Sequence, residues 1–466
     1  MIRAILAKEL REYATGSKFL WIFAVCSIVI LLGFWSGARH YQVAQRQYEA
    51  ARQANFRQQQ GLTDWGQVQQ NITMPPNVLA ALVSGISNDV GRNVSIRGMN
   101  EVVPQDSRFN EDPVFAVFRF LDLEFLFQVI LALFAILLAY NSVCGEKEQG
   151  TLRLIFSNGV GKDQYLVAKW LGAILGLAVP LSIPLALGCL LLVVMEIPLT
   201  ADEWWRLVAI LATGLLYFSL FLTLSVFVSS RTQRSTTSFL LLLIVWIGSV
   251  FVWPRMSVLI AGRLVDVPSV DEVAAEKSAF QYQVWSEHLQ KIGAYRSAPS
   301  DDPDKVFQEF QKFMSQMAEE RDRKINAFAD RVNENRRNRQ KAQESVTLNL
   351  ARLSPASALS LAMTALAGTS LDLHNRFVQS ATDYRNVFES FVRTKTGNAA
   401  HRGMRMVIAD GREKPKPIDP SEIPGFHFDA SSGPVESVIV DAGLLLFGNL
   451  LFFGLALASF IRYDVR

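Results

Sequence analysis

The chain has 466 residues, 50% of them apolar and 19% charged, with a formal net charge of +3. That mixture suits membrane spans alternating with water-exposed segments better than one large globule. The small net charge gives no electrostatic case for a nucleic-acid partner. The three cysteines, Cys26, Cys144 and Cys189, lie inside or at the end of apolar runs, so no disulfide framework is implied.

The first element is the run MIRAILAKELREYATGSK, residues 1–18. A helix here sets Ile2, Ile5, Leu6, Leu10 and Tyr13 on one face, as expected of an amphipathic helix lying in the membrane interface. The residues assigned to its working surface are Ile2, Ile5, Leu6, Glu9 and Leu10. An apolar run follows over Phe19–Ala38. It is too long for a signal-peptide core and no small-residue cleavage site follows it, so it reads as a retained first span.

A helix crossing the bilayer needs roughly 20 apolar residues. Six stretches reach that length without Asp, Glu, Lys or Arg: 19–38, 125–144, 170–195, 207–230, 235–254 and 442–461. Backbone polar groups in lipid must pair internally, so each is expected to be a helix. Pro180 and Pro184 predict a kink or short break in the third.

Residues 39–124 and 262–440 are the two long connecting segments. The first opens with a polar, Arg- and Gln-rich run, Tyr41 to Gln60, read as helical, and is then punctuated by Gly61, Pro75, Pro76 and Gly91. In the second, Val306, Phe307, Phe310, Phe313, Met314, Met317, Ile325, Phe328 and Val332 recur at spacings near three and four, an amphipathic helix. Asp301, Asp302 and Asp304 with Pro303 suit its N-terminus. A further helix is expected over Leu371 to Thr394, and a loop or short strands over His401–Pro434.

The short flanks orient the chain through the positive-inside rule. Lys and Arg crowd the N-terminus (Arg3, Lys8, Arg11, Lys18), the loop at 145–169 (Lys147, Arg153, Lys162, Lys169), the tight loop at Arg231 and Arg234, and the C-terminus (Arg462, Arg466). The loop between the third and fourth spans instead carries Glu196, Asp202 and Glu203, with Trp204 and Trp205 at the interface. Both termini are therefore expected in the cytoplasm and both long segments outside it.

In the cytoplasmic loop, Glu146 and Glu148 stand just outside the membrane, followed by Gly150. Thr151 is placed to cap a short helix that presents Leu152, Leu154, Ile155 and Phe156 and ends at Ser157-Asn158-Gly159. The product is a short helix beside the membrane that a motor protein can grip. The string Cys144 to Gly172, CGEKEQGTLRLIFSNGVGKDQYLVAKWLG, resembles the coupling-helix signature of ABC-2 type permeases, roughly E-x-E-x-G-T-L-x-x-L-x-S followed by a Lys leading into the next span. The matching residues are Glu146, Glu148, Gly150, Thr151, Leu152, Ile155 (for the family's Leu), Ser157 and Lys169. Leu121-Asp122 and RLSPASALSLAMTALAGT, Arg352 to Thr369, resemble the subgroup with a large extracytoplasmic domain between late spans. Asn141 stands where an acidic residue is usual, and Gly159-Val160-Gly161 replaces a Pro-containing turn.

The resemblance implies an all-α polytopic membrane protein of the bacterial inner membrane, with six transmembrane helices, an interfacial helix, a coupling helix and two mostly helical extracytoplasmic segments. It implies a permease that exports a substrate, working with two copies of a cytoplasmic ABC ATPase and with a second permease, identical or sibling. ATP and Mg belong to that ATPase, because the chain has no G-x-x-x-x-G-K-[ST] loop; Gly159–Lys162 lacks its spacing and its Ser/Thr. Glu148, Thr151 and Leu152 are expected to transmit the ATPase's motion, and Leu152→Arg to uncouple it. The alternative is mechanotransmission, in which the ATPase drives the outer domain to act on a periplasmic partner and nothing crosses the bilayer.

An enzyme has less support. All five histidines lie outside the spans and neither H-E-x-x-H nor G-x-S-x-G occurs. His427 beside Asp429 reads as a surface loop histidine. No cofactor or metal site is expected on this chain.

Overall fold

The computed structural model describes residues 2–63, 65, 68–87, 91–96, 122–294, 303–396, 418–430 and 436–463. Over these the chain is almost entirely helical, with one two-stranded antiparallel sheet. It divides into two compact units, residues 1–250 with 354–466, and residues 251–353.

The larger unit begins with α1 (Ile2–Thr15) and α2 (Ser17–Gln59). The first span and the polar run after it are one helix of 43 residues, about 65 Å long at 1.5 Å per residue. After the strands β1 (Gln70–Thr73) and β2 (Asn93–Ile96), a helical turn at Leu123–Phe125 and a π-helical turn at Leu126–Leu131 lead into α3 (Ala132–Ala139). Asp122 starts this helix, accepting from the Phe125 N–H at 2.8 Å and from the Ser84 hydroxyl at 2.6 Å. Two short helices follow, α4 (Cys144–Glu148) and α5 (Thr151–Ser157), then α6 (Lys162–Val194), α7 (Ala201–Arg231) and α8 (Ser235–Ile247). Thr200 and Glu203 close a capping box at the head of α7. Helix α6 runs through Pro180 and Pro184 without the break that a proline can cause in water. Membrane helices tolerate proline because neighbours re-satisfy freed backbone groups.

Seven helices of the described residues are long and apolar enough to cross a membrane. Six contain the runs expected from the sequence. The seventh, Pro355–Val392, combines α12 (Pro355–Ala367) and α13 (Asp372–Thr396), separated by Gly368 in the left-handed region at φ 71°. The sequence placed these residues in the segment 262–440, yet α12 packs on α7 and on the last helix, α14 (Glu436–Ile461). Its Leu359, Ala362, Met363 and Leu366 join the same core as Phe34, Phe127, Leu185, Tyr217 and Leu445. Thirteen residues rise only about 20 Å, short of the hydrocarbon thickness of about 30 Å.

Without a hydrophobic force between helices in lipid, close approach and hydrogen bonding hold such a bundle. At Gly188 a Cβ would lie 2.3 Å from the Phe34 ring, and at Gly214 2.7 Å from Phe127. Asn449 ties α14 to α7, accepting from Ser219 at 3.0 Å and Thr223 at 3.2 Å and donating to the Leu216 carbonyl at 3.1 Å. Trp170 of α6 donates to the same Thr223 hydroxyl at 2.8 Å.

A second, smaller core joins the two long segments. Val68, Ile72, Met74, Val94 and Ile96 pack with Leu373, Phe377, Tyr384, Phe388, Ile418 and Ile423. The Ile418 N–H donates to the Leu62 carbonyl at 2.8 Å, and the Thr369 hydroxyl donates to the Val83 carbonyl at 3.0 Å. The expected loop at His401–Pro434 lies largely outside the described residues, as do Asp301 and Asp302.

The smaller unit holds α9 (Trp253–Leu264), α10 (Val270–Gly293) and α11 (Pro303–Ala351). Helix α11 has 49 residues, about 73 Å. Helices α10 and α11 run antiparallel: Arg336 donates to the Pro268 carbonyl at 3.1 Å near one end, Phe280 stacks on Phe328 at 3.9 Å, and Lys291 pairs with Glu320 at 3.5 Å near the other. The expected apolar stripe of α11 includes Ile325, Phe328 and Val332, and it turns to α10 in this way.

Gly188→Ala is expected to destabilise the bundle by about 1–3 kcal/mol through overpacking, read as a lower unfolding temperature in detergent. Phe34→Leu in the same chain should recover part of the loss.

Candidate coupling site

The loop between α3 and α6 is built on two glycines in the left-handed region, Gly150 at φ 74° and Gly159 at φ 73°. They bracket α5. Gly150, not Thr151, occupies the cap position, and the Thr151 hydroxyl instead donates back to the Glu146 carbonyl at 3.3 Å. At the other end Ser157 and Asn158 donate to the Leu154 carbonyl at 2.8 and 2.9 Å.

Helix α5 has an inner and an outer face. Leu152 is 2% exposed and packs with Val143, Tyr165, Leu166, Val226, Ala456 and Phe460. Ile155 and Phe156 lean on the same cluster. Leu154 is 69% exposed, and Thr151, Arg153, Ser157 and Asn158 are exposed beside it. The surface that α5 offers is therefore Arg153 and Leu154, while Leu152 anchors the helix from below. Leu152→Arg would break that packing, so it cannot serve as a clean probe of the contact.

The acidic residues of the motif turn inward. Glu146 accepts from Lys169 at 2.8 Å and from Lys8 at 3.2 Å, and from the Tyr165 hydroxyl. Lys169 also reaches Glu9 of α1 at 2.7 Å. Glu9, Glu146 and Lys169 are all buried, so a single ammonium bridges two carboxylates from separate helices. With Lys8 the four charges sum to zero. Burial pushes the Glu9 carboxyl above the usual carboxylate range, with Lys169 pulling the other way. Where α1 meets α6, a Cβ on Gly172 would lie 2.9 Å from Glu9 Cβ and 3.7 Å from Leu6. The face of α1 carrying Leu6 and Glu9 thus packs on α6. Ile5 and Leu10 are half-buried, and the Ile2 side chain lies outside the described residues.

The flanking residues tie further helices. The Glu148 carboxylate accepts from the Ser235 N–H at 3.2 Å and hydroxyl at 2.7 Å, capping α8 from a distance. Lys147 donates to the Ser230 and Thr232 carbonyls and lies 4.3 Å from the Tyr463 ring centre. Lys162 donates to the Ile461 and Tyr463 carbonyls at 3.1 and 2.7 Å, neutralising the C-terminal end of α14. One loop thereby holds α1, α6, α7, α8 and α14. Lys8, Lys147, Tyr165 and Ser235 were not among the expected site residues: their partners are remote in sequence and no periodicity marks them.

No group of three or more His, Cys, Asp or Glu among the described residues is arranged to hold a metal ion. The pattern describing the ABC-2 family transporter protein matches residues 3–465. The chain belongs to the ABC-2 transporter family. A stretch of 60 residues is 38% identical to a protein of Stutzerimonas stutzeri named as the probable ABC transporter permease protein NosY, covering 13% of this chain and 21% of that one. A protein of the same name from Pseudomonas aeruginosa is 30% identical over 112 residues, 23% of this chain and 40% of that one. The matches thus span about a fifth and two fifths of these relatives' lengths. The chain is an ABC-2 permease and a multi-pass membrane protein.

Lys169→Met leaves Glu9 and Glu146 buried without their shared cation. The expected cost is about 3–5 kcal/mol, the range for breaking a buried pair by removing one partner. Thermal unfolding in detergent should show that loss, and Glu9→Gln with Glu146→Gln in the same chain should restore most of it.

Proposed function

We propose that this ABC-2 permease exports a substrate across the bacterial inner membrane, driven by a separate cytoplasmic ABC ATPase that grips α5. Two ATPase copies, with their ATP and Mg, work with a pair of permeases, and both termini of the chain lie in the cytoplasm. The observation that carries the reading is the division of labour in the loop 145–169. Leu154 and Arg153 are presented outward, while Glu146, Leu152 and Lys169 fasten the same loop to α1 and α6. A push on Leu154 is thereby delivered to the spans rather than lost in a flexible loop.

A second reading is favoured by the 49-residue α11 and its hairpin with α10. In it, the same ATPase moves the hairpin against a periplasmic protein and nothing crosses the bilayer. A rigid two-helix arm suits mechanical transmission.

Leu154→Asp separates contact from folding, because the side chain is exposed. The tagged chain, purified from its native membrane, should bring down an ATPase with a phosphate-binding loop. Leu154→Asp should lose most of that ATPase while keeping the wild-type unfolding temperature. A wild-type chain that never retains an ATPase would overturn the proposal.

A further inference from the structure

Where α2 leaves its apolar run, the structure holds a cleft of about 510 Å³, distinct from the loop 145–169. That size lies in the range of small-molecule sites. Its polar lining is His40 and Tyr41 of α2, then Ser84, Ser87, Arg92 and Asp122. Small side chains, Ala44, Ala80 and Ala81, complete the wall and leave the space open. All of these residues belong to the larger unit.

The walls are fixed in place from several sides. The turn 79–87 presses on α2 so closely that a Cβ on Gly37 would lie 2.7 Å from the Ala81 carbonyl oxygen. The Leu82 carbonyl accepts from the Leu123 N–H at 2.8 Å, and the Ile86 N–H donates to the Thr369 carbonyl at 3.1 Å. Gly85, at φ 47°, makes the bend between Ser84 and Ser87 against Thr369, where no side chain fits. Asn77 donates to the Ala367 and Ala430 carbonyls at 2.7 and 3.2 Å. Arg92 sits at the head of β2, its carbonyl accepting from the Met74 N–H at 2.8 Å.

The charges in the cleft decide what it takes. The half-buried Asp122 carboxylate accepts from the Ser84 N–H at 3.3 Å, the Ser84 hydroxyl at 2.6 Å and the Phe125 N–H at 2.8 Å. All three donors are neutral, and no cation pairs with Asp122 among the described residues. An ammonium group would supply both the missing opposite charge and strong hydrogen bonds. Arg92 lines the same cleft with a positive charge. A bare cation drawn to Asp122 therefore meets Arg92, and a bare anion drawn to Arg92 meets Asp122. A molecule carrying both charges a few atoms apart satisfies each.

We infer that this cleft binds a small zwitterion, its ammonium on Asp122 and its carboxylate or phosphate on Arg92. The hydroxyls of Tyr41 and Ser87 and the imidazole of His40 are the other polar groups it meets. Two sources share that chemistry. One is a free amino acid or phosphoamine. The other is the ethanolamine headgroup of a phospholipid, since the cleft lies where the apolar run 19–38 ends. The inference goes beyond the coupling reading and needs no ATPase, so either can fail alone.

The test is calorimetric titration of the purified full chain in detergent with glycine and with phosphoethanolamine. At least one should bind saturably, with acetate and methylammonium each about tenfold or more weaker. Asp122→Asn removes the charge and keeps a side chain that caps a helix equally well. It should weaken binding about tenfold or more at an unchanged unfolding temperature. Arg92→Gln should do the same, and Arg46→Gln, at an exposed cation of α2 outside the cleft, should change nothing. Nanodiscs separate the sources. Probe binding lost in phosphatidylethanolamine discs but kept in phosphatidylglycerol discs assigns the cleft to the headgroup; binding kept in both assigns it to a free zwitterion. Absence of binding by either probe would overturn the proposal. So would acetate or methylammonium binding as tightly, or full binding in both Asp122→Asn and Arg92→Gln.

Discussion

One end of this bundle depends on one ammonium, that of Lys169, buried between the carboxylates of Glu9 and Glu146. Water is excluded there, so neither carboxylate can be left alone without a penalty larger than most contacts in a protein contribute. That constraint fixes three elements to one another: α1, the loop leading to α5, and the start of α6. A short helix of seven residues, α5, has little stability of its own, and it is held in place by the packing beneath it.

The same logic recurs around the loop. Glu148 caps α8, Lys147 meets the end of α7, and Lys162 meets the end of α14. Each interaction satisfies helix-end groups that would otherwise face the membrane boundary unpaired. The loop is thereby tied to α7, α8 and α14 at their ends, and to α1 and α6 through the ion pairs of Lys8, Glu9 and Lys169. The hydrogen-bonded set of Trp170, Thr223, Ser219 and Asn449 continues the tie between α6, α7 and α14 into the bundle.

Much of this was legible in the sequence. Charge-free runs of about 20 residues mark six of the seven helices long and apolar enough to cross a membrane, and the helix over Tyr41 to Gln59 follows from the same kind of local signal. The string from Glu146 to Ser157 was visible, but which of its side chains turn inward was not. The partners of Glu146 and Glu148, namely Lys169, Lys8 and Ser235, lie 23, 138 and 87 residues away, beyond any local pattern. Leu152 and Leu154 are both apolar, and only the packing against Tyr165 and Phe460 decides which one is inside. Helix α12, thirteen residues long, is too short to be marked as a span, and only its packing on α7 and α14 joins it to the bundle core. The joint core of Ile72 and Phe377 likewise depends on contacts across some 300 residues, which no periodicity records.

The central claim is that α1, α5 and the start of α6 move as one piece because Lys169 holds them. Spin labels at Glu12 and Asn158, both exposed, would report the distance between α1 and the end of α5 in the complex with the proposed ATPase. The account predicts one distance, unchanged between nucleotide-free and ATP-bound states, and a broadened or longer distance in Lys169→Met. A wild-type distance that shifts by several ångströms when ATP binds would contradict it.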